Sequence, residues 1–297
     1  MCTLKNKIDF LALVSVKNAN PNGDPLSGNM PRVTYDGLGE ISDVCIKRKI
    51  RNRWLDMGES IFVQSDDKRT DEFKSLRDRL SAEKDIMKVQ KEGDKDAFAR
   101  MACEKWLDVR GFGQVFAFTK GKKKDEEADA GGISVGVRGP VSLHPAFSAD
   151  TVTPVSIQIT KSVNSETDAK NPDKKSSDTM GMKHRIDFGL YVVKGSINVQ
   201  LAEKTGFSEE DAEKLKEALR TLFVNDTSSA RPDGSMQVHT LYWWKHNSAV
   251  GQYSAAKVHG SIEIRRKDGI EEASSFEDYE IVQRELPGLE AEIIDGV

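Results

Sequence analysis

Cysteine is scarce, and its three occurrences, Cys2, Cys45 and Cys103, stand far apart and in odd number. They supply neither a disulfide framework nor a zinc knuckle, which leaves ordinary reduced thiols. Histidine is equally thin. His144, His184, His239, His246 and His259 show no close metal-ligand spacing, and no Cys–His or Ser–His–Asp arrangement emerges. Long apolar runs are missing too: the longest, Phe10 to Val16, fits a buried strand and falls far short of the roughly 20 residues a membrane span needs. Lys5 and Lys7 before it faintly imitate a secretory signal, but Asp9 interrupts the run and no small-residue cleavage site follows. The expectation is a cytoplasmic protein without membrane partner, metal or cofactor. No internal repeat is visible.

An excess of positive charge is lacking as well, since the formal net charge is −4. Taken whole, that argues against nucleic-acid binding, but the distribution is uneven. Residues 267–297 hold ten acids against Lys267 and Arg284, a local net of −8, which leaves residues 1–266 at +4. An acidic tail thus conceals a mildly basic body. Within that body, Val44 to Trp54 carries Lys47, Arg48, Lys49, Arg51 and Arg53 with no acid at all.

With 297 residues, 31% of them charged, the chain can bury a real core and still carry large solvated insertions. Ile8 to Lys17 reads as a strand, closed by Asn18-Ala-Asn-Pro-Asn-Gly-Asp-Pro25, which is nearly pure turn chemistry. Ile41 to Met57 has helical apolar spacing, with Ser42 as N-cap. Residues 66–109 are charge-rich and predict two or three inserted helices. Gly111 to Phe118, Ile133 to Leu143 and Thr153 to Val163 read as strands, around a charged low-complexity loop at Lys120 to Gly132. Asn164 to Lys183 is long and polar and predicts a projecting hairpin. Arg185 to Val199, Gln237 to Trp244 and Lys257 to Arg266 read as strands, and Ser208 to Val224 as an amphipathic helix opened by Ser208 and Asp211.

Without the insertions the order is strand, helix, strand, strand, helix, strand. That is the split βαβ or ferredoxin-like plan on which RNA-recognition-motif domains are built, although the plan alone does not license RNA binding. The Asn18 to Pro25 loop, with Arg32, Ser42, Lys47, Arg48 and Arg51, has the chemistry to follow a phosphate chain: small residues admit a backbone, amides and N–H groups donate, and cations neutralise. On the pattern alone, a turn beside a solvated helix face fits as well.

The Asn-Pro-Asn-Gly-Asp segment, Arg32, Ser42, Lys47-Arg48 and the later Val137-Arg-Gly-Pro140 together resemble the backbone subunit of type I CRISPR Cascade, particularly subtype I-C. The resemblance runs from Lys5 to about Arg266. It implies an α+β fold: a modified ferredoxin-like, RNA-recognition palm over residues 1–65 and 110–266, a helical insertion at 66–109 and a β-hairpin thumb at 162–184. The acidic tail at 267–297 follows. By the same resemblance, copies polymerise along a guide crRNA, bind it without sequence preference, kink it at intervals and present it to target DNA beside other Cascade subunits. Asn18, Asn20, Asn22, Arg32 and Ser42 match the family's loop after the first strand, and Lys47, Arg48 and Arg51 its basic helix. Arg138 lies in the Arg-Gly-Pro segment. Lys161, Lys183 and Arg185 flank the thumb, with Met180 and Met182 as candidate wedges against a displaced base, a contact that suits a flexible, polarizable side chain, and hairpin packing as their other reading.

Some features invite other readings. Arg110-Gly-Phe-Gly113 copies the opening of an RNA-recognition aromatic motif, but Gln114 and Ala117 stand where aromatics belong, so Phe112 is placed in the core. Trp243-Trp244 in an alternating strand predicts one buried ring and one exposed, with core packing as the pair's role. Backbone subunits of type III complexes cleave target RNA with a loop aspartate and a metal, and Asp24, Asp36 and Asp43 occupy that region here. The type I resemblance implies no catalytic residue, and Asp24 reads as a turn former. A metal-dependent RNase and a protein-binding assembly module are the two alternatives.

Overall fold

The computed structural model describes residues 3–117, 134–160, 167–168, 171–175 and 180–297. The charged loop at 120–132, Lys161 and most of the predicted hairpin tip lie outside the described residues.

The fold is mixed α+β around one large antiparallel sheet. Its strands are β1 (Ile8–Ala19), β2 (Leu38–Ile41), β3 (Val141–Leu143), β4 (Ala146–Thr151), β5 (Pro154–Thr160), β6 (Met180–Ile197), β7 (Met236–Lys245) and β8 (Glu292–Asp295). Across the sheet the order is β8-β7-β1-β6-β4-β2, and β3 and β5 also pair with the long β6. The helices are α1 (Asp43–Asp56), α2 (Leu76–Ala82), α3 (Lys84–Glu92), α4 (Lys95–Lys105), α5 (Leu107–Phe112), α6 (Val199–Thr205), α7 (Glu209–Arg220) and α8 (Ala255–His259).

Central strand β1 explains the layering. Its period of two sends Ile8, Phe10, Ala12, Val14 and Val16 to one face, where Ile46, Ile50 and Trp54 of α1 and Leu215 and Leu219 of α7 cover them. Leu11 and Leu13 point to the other face, into a cluster with Leu190, Tyr242, Trp244, Val258, Ile262, Tyr279 and Leu289. A strand buried on both faces reads as a continuous apolar run, which is what Phe10 to Val16 is. Local signals fix the two covering helices. Ser42 accepts from the Cys45 N–H (3.3 Å) at the start of α1, and Ser208 and Asp211 form a reciprocal capping box on α7.

The second face corrects two expectations. Residues 267–297, read as a tail, are folded: Tyr279–Gln283 pairs with Ile262–Arg266, β8 extends the main sheet beside β7, and Tyr279 and Leu289 are buried. Their acids sit on the outward side of a segment whose sparse apolar residues do the packing. Trp243 and Trp244 are consequently both buried, not one in and one out: Trp243 stacks on Phe10 (5.5 Å) and Trp244 on Tyr242 (5.8 Å). Core packing is the role of both. The stretch predicted as a strand from Lys257 begins instead inside α8, and the strand starts at Ile262.

The insertion has its own core, in which Phe62, Leu80, Ile86, Phe98, Trp106, Phe116 and Val135 meet. It contains α2, α3, α4 and α5, more helices than predicted, and draws on the hairpin Gly113–Ala117 with Ser134–Arg138. Arg110 and Phe112 join it to the main body. Arg110 forms a two-pronged ion pair with Asp211 (both 2.8 Å), and Phe112 stacks on Trp54 (5.1 Å). Among the described residues no helix is long and apolar enough to cross a membrane.

Candidate nucleic-acid interface

One end of the sheet gathers most of the polar residues that the sequence singles out. β1 stops at Ala19, and Asn18 already adopts φ 53°, a left-handed conformation that asparagine tolerates. The chain then folds back on itself. Asn20 is buried, donating from Nδ2 to the Asn29 carbonyl (2.7 Å). The Oδ1 of Asn22 accepts from both the Ser42 N–H (2.9 Å) and the Ser42 hydroxyl (2.8 Å), and its carbonyl accepts from the Arg32 N–H (3.0 Å). Gly23 permits this closure, because a Cβ there would lie 2.0 Å from Asn29 Oδ1. Asn22 thereby ties the asparagine-rich loop to the N-terminus of α1, where free N–H groups favour an anion.

Asp24 behaves as a turn former. Its carboxylate accepts from the Leu26 N–H (3.2 Å) and the Ser27 hydroxyl (2.9 Å) and faces Arg32 at 3.5 Å. The Ser27 and Leu26 hydrogen bonds, with Arg32 nearby, hold its pKa below the usual carboxylate range. Asp43 pairs with Lys47 (3.0 Å), and Asp36 sits exposed in a turn. Among the described residues, no group of three or more His, Cys, Asp or Glu is placed to hold a metal ion.

The cations of α1 divide by direction. Arg48 is 61% exposed and pairs with the solvated Asp67 (3.2 Å), and Lys47 pairs with Asp43. Arg51 turns inward to Asp108 (2.9 Å) and lies over the Phe112 ring, 5.0 Å from its centroid. Asp108 is itself buried and accepts from the Phe62 and Val63 N–H groups (2.7 and 3.0 Å). Arg53 donates to the Thr221 hydroxyl (2.7 Å). Lys49 is buried against Asp226; burial lowers its pKa, and the Asp226 carboxylate opposes that shift. A groove of about 570 Å³ runs beside the outward face, lined by Val44, Arg48, Arg51, Gln64, Ser65 and Asp67 among others.

The β5–β6 ribbon rises from the same end of the sheet. Ala19 pairs with Ile186, and β6 from Arg185 back to Met180 continues beyond β1, paired only with β5. Met180 and Met182 share one face of this ribbon and are 66% and 55% exposed. Lys183 and Arg185 lie on the opposite face with the exposed Ile157 and Ile159; Arg185 approaches Asp187 at 3.4 Å. Arg138 stands apart from this constellation. It is exposed on the Ser134–Arg138 strand and, among the described residues, makes no hydrogen bond or ion pair with the asparagine-rich loop.

Sequence reading passed over one neighbour, the loop Asn225–Ser235. Antiparallel pairing of Val16 with Met236 brings the segment before β7 against the segment after β1, so Lys17 N–H donates to the Ser235 carbonyl (2.8 Å) and Asn20 N–H to the Ala230 carbonyl (3.0 Å). Arg231 of that loop reaches Asp226 at 3.4 Å, next to Lys49. Its polar, turn-rich composition between a helix and a strand was the available signal.

Comparison with known proteins identifies the family. The family model described as CRISPR-associated protein Cas7 matches residues 6–284. A CRISPR-associated protein Cas7 of Haloferax volcanii is 28% identical over 234 residues, covering 76% of this chain and 67% of the relative. Two chains from solved CRISPR RNA-guided surveillance complexes, one of them in a pre-nicking state, overlay at TM-scores of 0.48 and 0.42 with 14% and 16% identity. They cover 80% and 89% of this chain and 78% of each neighbour. With its family match spanning nearly the whole sequence, the chain belongs to the CRISPR-associated Cas7 family.

Proposed function

We propose that the protein is a non-catalytic backbone subunit of the subtype I-C kind, which coats a guide crRNA in the cytoplasm and presents it to target DNA within a Cascade complex. The observation that carries this reading is the convergence, in a chain of this family, of Asn18, Asn22, Arg32, Ser42, Lys47 and Arg48 at one end of the sheet. Amides, a helix N-terminus and outward cations suit phosphates and carry no base readout, so every spacer would be accepted alike. The order β7-β1-β6-β4, with α1 and α7 on one face, supports reading the sheet as an RNA-recognition palm, its opposite face filled by residues 255–297. Arg51 serves this surface by holding α1 against the insertion. The β5–β6 ribbon serves as the thumb base, with Met180 and Met182 as wedges and Lys161, Lys183 and Arg185 as flanking cations; Arg138 is left as a peripheral contact.

Expression with a guide array tests the reading. The purified chain should carry RNA of guide length and form curved filaments in electron micrographs, together with neighbouring copies and other Cascade subunits. An absorbance ratio showing no nucleic acid would favour a protein-binding module. Regular metal-dependent cuts in complementary RNA, lost on Asp24→Ala or Asp36→Ala, would favour a nuclease.

A further inference from the structure

Asp226 is shared by two cations. Lys49 of α1 meets it from a buried position, and Arg231 approaches it at 3.4 Å through Nε. One carboxylate against two cations leaves the cluster with a residual positive charge. Arg231 keeps 28% of its side chain exposed, and among the described residues no partner takes its two terminal amino groups. An arginine fixed by Nε with its fork open is preorganised for a planar or tetrahedral oxyanion.

The loop that carries Arg231 is built to hold it in place. Ser228 and Arg231 exchange backbone hydrogen bonds (2.9 and 3.1 Å), and Asn225 turns the chain with φ 60°. The Lys17 N–H to Ser235 and Asn20 N–H to Ala230 bonds then lay the whole loop along the asparagine-rich segment. The loop that carries Arg231 and the N-terminus of α1 are therefore both tied to the asparagine-rich segment.

We infer that Arg231 donates its terminal amino groups to a phosphate of the bound RNA, making the loop Asn225–Ser235 a second wall of the strand-binding surface. This rests on the guide-binding reading above. In it, Asp226 and Lys49 are positioning residues: Asp226 aims the guanidinium, and Lys49 prevents Asp226 from neutralising Arg231 fully.

The test is a salt titration of the full chain with labelled single-stranded RNA of guide length, comparing wild type, Arg231→Gln and Arg231→Lys. The wild-type slope of log affinity against log salt reports whether RNA is bound through phosphates at all, and the variants report the inference separately. Arg231→Gln leaves Lys49 and Asp226 balanced one to one, so its melting temperature should match wild type. Its slope should be lower by about 0.7, the single-strand value for one phosphate, while Arg231→Lys keeps the wild-type slope. An unchanged slope in folded Arg231→Gln overturns the inference and leaves the wider reading intact. Should Arg231→Gln fail to fold, Ser229→Glu places an opposing charge at an exposed position of the same loop without touching Asp226. Weaker RNA binding by that variant supports the second wall, and unaltered binding overturns it.

Discussion

The two sides of α1 carry the same kinds of residue and do different things. Arg48 stands toward solvent with an exposed partner, Asp67, and Lys47 forms a half-buried pair with Asp43 one turn back. Lys49, Arg51 and Arg53, on the same few turns, are committed to Asp226, Asp108 and Thr221. In sequence they form one basic patch. In the fold, the inward group fastens α1 to the loop before β7, to the insertion and to the residue following α7, whereas Arg48 is left at the surface. A buried cation with a single carboxylate partner has little to offer a phosphate, because taking that partner away costs more than a solvated contact returns. Charge density thus located the helix, and the partners decide which charges act.

The strongest way to break this contrast is Asp108→Ala. It leaves Arg51 without its anion and the Phe62 and Val63 N–H groups without an acceptor. Denaturant unfolding should show a loss of about 3–5 kcal/mol, as for other buried pairs stripped of one partner. A loss below about 1 kcal/mol would mean that the inward cations are not structural. The sheet offers the same contrast between neighbours. Trp243→Ala and Trp244→Ala should each cost about 3–5 kcal/mol, since both rings are buried in opposite layers. A near-neutral Trp244→Ala would show that residues 255–297 do not seal the second face. Ser42→Ala removes the α1 cap and one of two links to Asn22, and should cost about 1 kcal/mol in thermal unfolding. At the small end, Arg48→Ala should leave stability within about 0.5 kcal/mol of wild type, its partner being exposed.

What the sequence made legible was local. The apolar run of β1, the Ser42 cap, the Ser208–Asp211 box and the turn chemistry after Asn18 each depend on residues a few positions apart, and each appears where expected. What it hid depends on distant pairing. The acids of 267–297 suggested a solvated tail because their spacing conceals Tyr279 and Leu289, whose partners Leu11, Leu13 and Trp244 lie far along the chain. The commitment of Arg51 was invisible because Asp108 sits 57 positions away, and that of Lys49 because Asp226 sits 177 away. Arg231 joined the site only through the register of β1 and β7. The expectation of one exposed ring in Trp243-Trp244 fails for a single reason: alternation shows which residues share a face, but not whether that face is covered.

If the outward side of α1 follows an RNA backbone and the inward side does not, the salt dependence of RNA binding should divide in the same way. The most direct test compares the salt dependence of guide-length RNA binding in wild type and in Lys47→Ala with Arg48→Ala, across unrelated spacers of equal length. The slope should be lower by about 1.4 in the double variant, one step of about 0.7 for each cation, with the same melting temperature and no preference among spacers. An unchanged slope in the folded double variant, or a strong preference for one spacer, would contradict it.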